Sequence, residues 1–176
     1  GMQVEQLAQT NANIAYITPS HQFPMGMVMP INRRMQLLHW ACEQKNRYLI
    51  EDDYDGEFRF HGRPIPALKG LESNDKVIYC STFSKSFAPS IRIAYMILPE
   101  TLLAIYKKNF SSYACSVSRF EQHVLYRFLK EGHYNRHLNR MRTIYRGRKE
   151  KLTEELRSLP QSNKIMIIGE NAGLHL

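Results

Sequence analysis

The chain has 176 residues, 43% of them apolar and 23% charged, with a net charge of +8. That is the composition of a soluble globular protein. No stretch reaches the ~18 consecutive apolar residues of a membrane span, and no charged-then-apolar leader opens the chain. Cys42, Cys80 and Cys115 are odd in number and lack CxxC spacing, which argues for reduced thiols in a cytosol and against disulfides or zinc.

In chain order, "NIAYIT" (13–18) is an apolar, β-branched run stopped by Pro19 and predicts a strand. Three prolines and a glycine in 19–30 predict an ordered loop. Ile31, Met35, Leu38 and Cys42 recur at helical spacing, which predicts a helix over 31–46 with that face inward. A second strand, "RYLIE" (47–51), carries an acidic cluster at its carboxyl end. A Pro- and Gly-rich connection (61–70) then leads to a third strand over 76–81. "TFSKSFAPS" (82–90) reads as a loop and "IRIAYMIL" (91–98) as a fourth strand. From Pro99 the pattern turns helical, over 99–110, 116–132 and a long helix from 133 to 159, and 164–176 reads as an apolar strand.

Much of the positive charge falls between Arg136 and Lys151, where a nucleic-acid surface could be built. Leu138, Met141, Tyr145, Leu152, Leu156 and Leu159 run through the same stretch at helical spacing. The basic residues are therefore read as the wet face of an amphipathic helix.

The cluster "EDDYDGEF" (51–58) begins with the spacing of a calcium-binding EF-hand loop. The ninth position of that loop is Arg59 and the twelfth, where a bidentate Glu is required, is Gly62, so no metal is expected. Strands separated by crossovers predict an α/β sheet with helices on both faces. Ligands in such sheets collect at the carboxyl ends of strands, near a topological switch point. The acidic cluster, the "SHQFP" loop and the "TFSK" loop all lie at such ends.

Three elements form a constellation there. Lys85 follows a strand, flanked by Thr82, Ser84 and Ser86; Arg92 stands seven positions later; Asp52 and Tyr54 end the preceding strand. An amine for an aldehyde, hydroxyls and a guanidinium for a phosphate, and a carboxylate and a phenol for an aromatic ring together describe one ligand, pyridoxal 5′-phosphate.

"TFSKSFAPSIRIAY" and "EDDYDGEFRF" resemble the cofactor signatures of fold-type I, aminotransferase-like proteins. With "ITPSHQFPMG" (17–26) the likeness is greatest to the aminotransferase-like domain of MocR-type regulators, a subgroup of the GntR family that fuses a winged helix to this fold. The resemblance implies a three-layer α/β fold. Residues 1–130 would be the second part of the cofactor-binding large domain, 131–159 a long connecting helix and 160–176 the start of a small domain. A truncated piece of a longer protein is thus expected, lacking the winged helix and the earlier glycine-rich phosphate loop. The resemblance further implies that Lys85 links covalently to the cofactor, Asp52 faces the ring nitrogen, Tyr54 addresses the ring hydroxyl, and Arg92 holds the phosphate with Thr82 and Ser84. Glu51, Asp53 and Asp55 are expected to cap loops or pair with Arg59 and Arg63. His21 and Gln22 are read equally as loop-ordering or ligand-contacting residues. Phe23 stands where aminotransferases often carry an asparagine, which puts efficient transamination in question. A cytoplasmic homodimer binding a small amino compound as effector is implied, with DNA reached only through the winged helix. The other readings are a piece of an aminoadipate-type class I aminotransferase, transferring an amino group to a 2-oxo acid, and a structural remnant whose shape persists without the ligand.

Overall fold

The computed structural model describes residues 2–60, 65–169 and 172–174. A short helix, α1 (Val4–Ala8), precedes strand β1 (Ile14–Ile17), followed by α2 (Ile31–Cys42), β2 (Tyr48–Asp53), α3 (Leu68–Leu71) and β3 (Val77–Thr82). After one helical turn, α4 (Phe83–Ser86), and a 3-10 turn (Pro89–Ile91) comes β4 (Ala94–Ile97). Three longer helices follow among the described residues: α5 (Glu100–Phe110), α6 (Arg119–Lys130) and α7 (His133–Ser158). The four strands form one sheet in the order β1-β2-β3-β4, parallel except for β4, which runs antiparallel to β3.

The expected α/β sheet is present, with a different distribution of helices. Alternation of side chains puts Ala15, Ile17, Leu49 and Val77 on one face, and these form the core with Leu37, Leu38 and Ala41 of α2 and Leu68 of α3. Ile14 and Tyr16 on the other face of β1 are 57% and 58% exposed. Helices expected on both faces therefore lie on one in this part of the sheet. Strand order explains it: two crossovers of the same right-handed sense, laid down in a monotonic order, return to the same side. The same order means that these strands contain no reversal, so the candidate site does not sit at a switch point of the described sheet.

Helix α2 forms where expected but turns a different face inward. Arg34, Leu37, Leu38 and Ala41 are buried, while Ile31, Met35 and Cys42 are exposed. Both stripes obey helical spacing. Counting apolar residues overlooks Arg34, whose guanidinium is fully buried and donates to the carbonyls of Met29, Pro66 and Pro19 at 3.1, 2.9 and 2.8 Å. Burial lowers its pKa, and Glu51 and Asp53 oppose that shift.

Helix α6 opens on a capping box in which Ser118 accepts from the Glu121 amide and Glu121 reaches back. On α7, Leu138 is buried, whereas Leu152 and Leu159 stay half exposed. Arg136, Arg140, Arg146, Arg148 and Lys151 are exposed, as expected of a wet face. Two basic residues turn inward instead: Arg142 donates to the Glu57 carbonyl at 2.7 Å, and Lys149 to those of Gly169 and Ala172 at 2.9 and 3.2 Å. The strand expected over 164–176 does not form among the described residues: a 3-10 turn (Ser162–Lys164) leads into unpaired chain, and one bridge joins Ala172 to Arg59. A run of apolar residues becomes a strand only where a neighbouring edge accepts its hydrogen bonds. Among the described residues no helix is long and apolar enough to cross a membrane.

Candidate functional site

Strand β2 ends in three consecutive acidic residues that alternate between faces. Glu51 and Asp53 lie on the core side in register with Tyr79 and Ser81, and Asp52 lies on the open side beside Cys80. Each carboxylate consequently meets a different environment. Glu51 is fully buried and accepts from the amides of Leu68 and Lys69 at 2.8 and 3.0 Å, closing the amino end of α3. Burial raises its pKa and those two amides pull it back. Asp53 accepts from the Tyr79 hydroxyl at 2.8 Å, and its carbonyl accepts from Ser81 Oγ at 2.8 Å. Its carboxylate lies over Gly56 and leaves no room for a Cβ there.

Asp52 is half-buried, and its Oδ2 accepts a hydrogen bond from the Tyr16 hydroxyl of β1. That bond, followed by burial, pushes the phenol up to about 12. Both residues line a cleft of about 830 Å³ shared with Tyr54, Thr18, Phe23 and Arg33. Tyr54 donates to the His21 carbonyl at 2.8 Å, and burial raises its pKa. The loop 19–30 forms the far wall, crossing a cis peptide at Phe23–Pro24, with Phe23 itself 70% exposed.

The second half of the site closes β3. Thr82 is the N-cap of α4, its hydroxyl accepting from the Ser84 amide at 3.1 Å and lying 3.1 Å from the Ile93 carbonyl. Ser84 Oγ lies 3.1 Å from the same hydroxyl. Lys85, on α4, is exposed, and so is Arg92. Among the described residues neither side chain makes a hydrogen bond or ion pair. Arg92 holds a left-handed backbone at φ 50, a conformation that costs a non-glycine residue about 1 kcal/mol. Asp52 pairs in register with Cys80, two positions before Thr82. The fold thus brings the residues singled out in the sequence to the same end of two adjacent parallel strands, in two groups: Asp52 with Tyr54, and Thr82 and Ser84 with Lys85 and Arg92.

Two relationships escape a reading of the sequence. Tyr16 reaches Asp52 because β1 pairs with β2 in a particular register, Tyr16 opposite Ile50. His21 and Asp55 form a buried pair, Nδ1 to Oδ2 at 2.8 Å. That pair orders the 19–30 loop, one of the two roles expected of His21. Asp55 therefore pairs with His21 rather than with Arg59, whose Nε is buried without a partner among the described residues; Arg63 lies outside them. Among the described residues no group of three or more His, Cys, Asp or Glu side chains could hold a metal.

Comparison with known proteins bears on the family and the fold. The chain is 46% identical over 176 residues to the uncharacterized HTH-type transcriptional regulator YhdI of Bacillus subtilis, covering all of this chain and 37% of that protein. It is 37% identical over 150 residues to the probable rhizopine catabolism regulatory protein MocR of Rhizobium meliloti, covering 85% of this chain and 30% of that one. The chain thus spans about a third of the regulators it matches. Among solved structures, kynurenine aminotransferase of Pyrococcus horikoshii, in complex with PMP, superposes with a TM-score of 0.80 at 30% identity over 90% of this chain and 41% of its own. The family aminotransferase class I and II matches residues 4–176. With that match over nearly its whole length and the fold to accompany it, the chain belongs to the aminotransferase class I and II family.

Proposed function

We propose that the chain is part of the pyridoxal-phosphate-binding, aminotransferase-like effector domain of a MocR/GntR-type regulator. In this reading 1–130 belong to the large domain, 131–159 connect, and 160–176 begin the small domain. The observation that carries it is the pair of cations Lys85 and Arg92, without a side-chain partner among the described residues, after β3, the strand that pairs with β2 and its half-buried Asp52. An arginine kept in a left-handed conformation, with no side-chain partner among the described residues, suits a residue reserved for a ligand.

The donor set fits the cofactor. When bound, pyridoxal phosphate supplies an electron sink that works while its ring nitrogen is protonated. Asp52 favours that proton by its opposite charge, an effect of roughly one to three pKa units at contact distance. Tyr54 addresses the ring hydroxyl, Arg92 and Ser84 the phosphate, and the amine of Lys85 the aldehyde. Thr82 contributes by capping α4 and so fixing the turn that carries Lys85. The effector is a small amino compound, the assembly a cytoplasmic homodimer, and operator DNA is read by a winged helix elsewhere in the full-length protein.

A free class I aminotransferase is the second reading, supported by the likeness to the Pyrococcus horikoshii enzyme. Phe23 favours the regulator, because an apolar side chain on the cleft wall cannot hydrogen-bond a ring oxygen. The full-length protein tests both. Incubation with pyridoxal phosphate and borohydride should leave a reduced adduct in the wild type and none in Lys85→Ala. Offering amino acids with a 2-oxo acid should give no rapid turnover, while an amine should change affinity for operator DNA. An undiminished adduct in Lys85→Ala would overturn the site; rapid turnover without an effect on DNA would leave the enzyme.

A further inference from the structure

We propose that Tyr16 is the positioning residue for Asp52, holding one carboxylate oxygen so that the other is presented to the cofactor's ring nitrogen. This role rests on the reading that Asp52 serves that nitrogen.

Strand geometry brings the two together. Tyr16 pairs with Ile50, so Asp52 lies two residues further along β2 on the same, open face of the sheet. At that diagonal separation a tyrosine is long enough to reach across. Its hydroxyl donates to Asp52 Oδ2, and among the described residues this is the one hydrogen bond that the Asp52 side chain makes. Oδ1 is left without a donor among them. Cys80 flanks Asp52 on the other side, half-buried, with its thiol pushed up by burial and then by the Asp52 charge, so it offers no competing anion.

A strand aspartate with one neighbour in hydrogen-bond reach can turn about its side-chain torsions, and the phenol removes that freedom for one oxygen. A charge-assisted bond is the kind strong enough to do so. Tyr16 is 58% exposed, and its ring contributes nothing to the core cluster on the opposite face. Among the described residues its ring has no place in that core, and the bond to Asp52 accounts for a tyrosine at this position. Ordering the carboxylate before the cofactor arrives spares that cost at binding.

The test is a double-mutant cycle in the full-length protein with Tyr16→Phe, Asp52→Asn and the pair. Three readouts are taken: the dissociation constant for pyridoxal phosphate, the pH at which the bound cofactor's visible absorbance changes, and the melting temperature. With Asp52 intact, Tyr16→Phe should weaken cofactor binding about tenfold and move the absorbance midpoint. Added to Asp52→Asn, the same substitution should change binding less than about twofold. Melting of the cofactor-free Tyr16→Phe protein should fall by no more than the few degrees that one hydrogen bond is worth. An equal loss in both backgrounds, or none in either, would overturn the role of Tyr16 while leaving Asp52 in place. If Asp52→Asn itself altered neither binding nor spectrum, the reading of Asp52 would fall, and with it the role of Tyr16.

Discussion

His21 Nδ1 lies 2.8 Å from Asp55 Oδ2, and both residues are 1% exposed. The same oxygen accepts from the Leu174 amide at 3.1 Å, and the His21 carbonyl accepts from Tyr54 at 2.8 Å. One buried pair thereby ties the 19–30 loop, the acidic segment after β2 and the chain near residue 174 to one another. Asp55→Ala would leave the imidazole and an amide without their shared acceptor. A loss of about 3 kcal/mol is expected, because removing one member of a buried polar pair strands the other. Urea unfolding measures it, with Asp55→Asn losing less because an amide oxygen can still accept from Leu174.

The packing around that pair also predicts opposite outcomes for two glycines. A Cβ on Gly173 would overlap the His21 ring, and the residue has φ +71. Gly70 lies within α3 with nothing within 4 Å of its Cβ position. Gly173→Ala should cost at least about 2 kcal/mol through strain and overpacking, whereas Gly70→Ala should gain about 0.5 kcal/mol from lower unfolded-state entropy. Thermal denaturation of the two variants separates them.

Glu57 gives the stability a pH dependence. Burial raises its pKa above the ordinary value of 4.5, its own amide opposes the shift, and Asp53 reinforces it. The folded state then holds its proton more tightly than the unfolded state. Between 4.5 and the raised value, stability should fall as pH rises, since the native form binds the excess proton there. Glu51 is raised by burial too and contributes with the same sign. In Glu57→Gln this downward slope should flatten, as read from urea midpoints across the acidic range; an unaltered slope would contradict the assignment.

Tyr16 carries a spectroscopic mark of its bond to Asp52. Its hydroxyl is pushed up to about 12, chiefly by that hydrogen bond. In Asp52→Asn the acceptor loses its charge, so the phenol should titrate closer to the ordinary value of 10.0. Tyrosine-selective carbon labelling with Tyr16→Phe as the assignment control follows the shift by NMR.

Much of the architecture can be read from local signals. The β-branched run before Pro19, the apolar strand before the acidic cluster and the helical spacing after Pro99 each depend on a few neighbouring residues, and each element forms where expected. The cofactor motifs are equally local. Lys85, Arg92, Thr82 and Ser84 fall within one short stretch, so a single turn and a 3-10 step bring them to the end of β3.

Pairings between distant segments were decided elsewhere. The inward face of α2 depends on whether three carbonyls from separate loops can satisfy a buried guanidinium, and Arg34 finds them at Met29, Pro66 and Pro19. Whether 164–176 becomes a strand depends on a free edge to pair with. The division of labour among Glu51, Asp52 and Asp53 follows from alternation along β2, which the sequence supplies, and from what lies opposite each face, which it does not. By itself the sequence determined which side chains stand at the carboxyl ends of the strands, because backbone propensity and side-chain period are local. Only the tertiary structure set Tyr16 against Asp52 and His21 against Asp55, because strand register and loop packing are fixed by contacts between residues 36 and 34 positions apart.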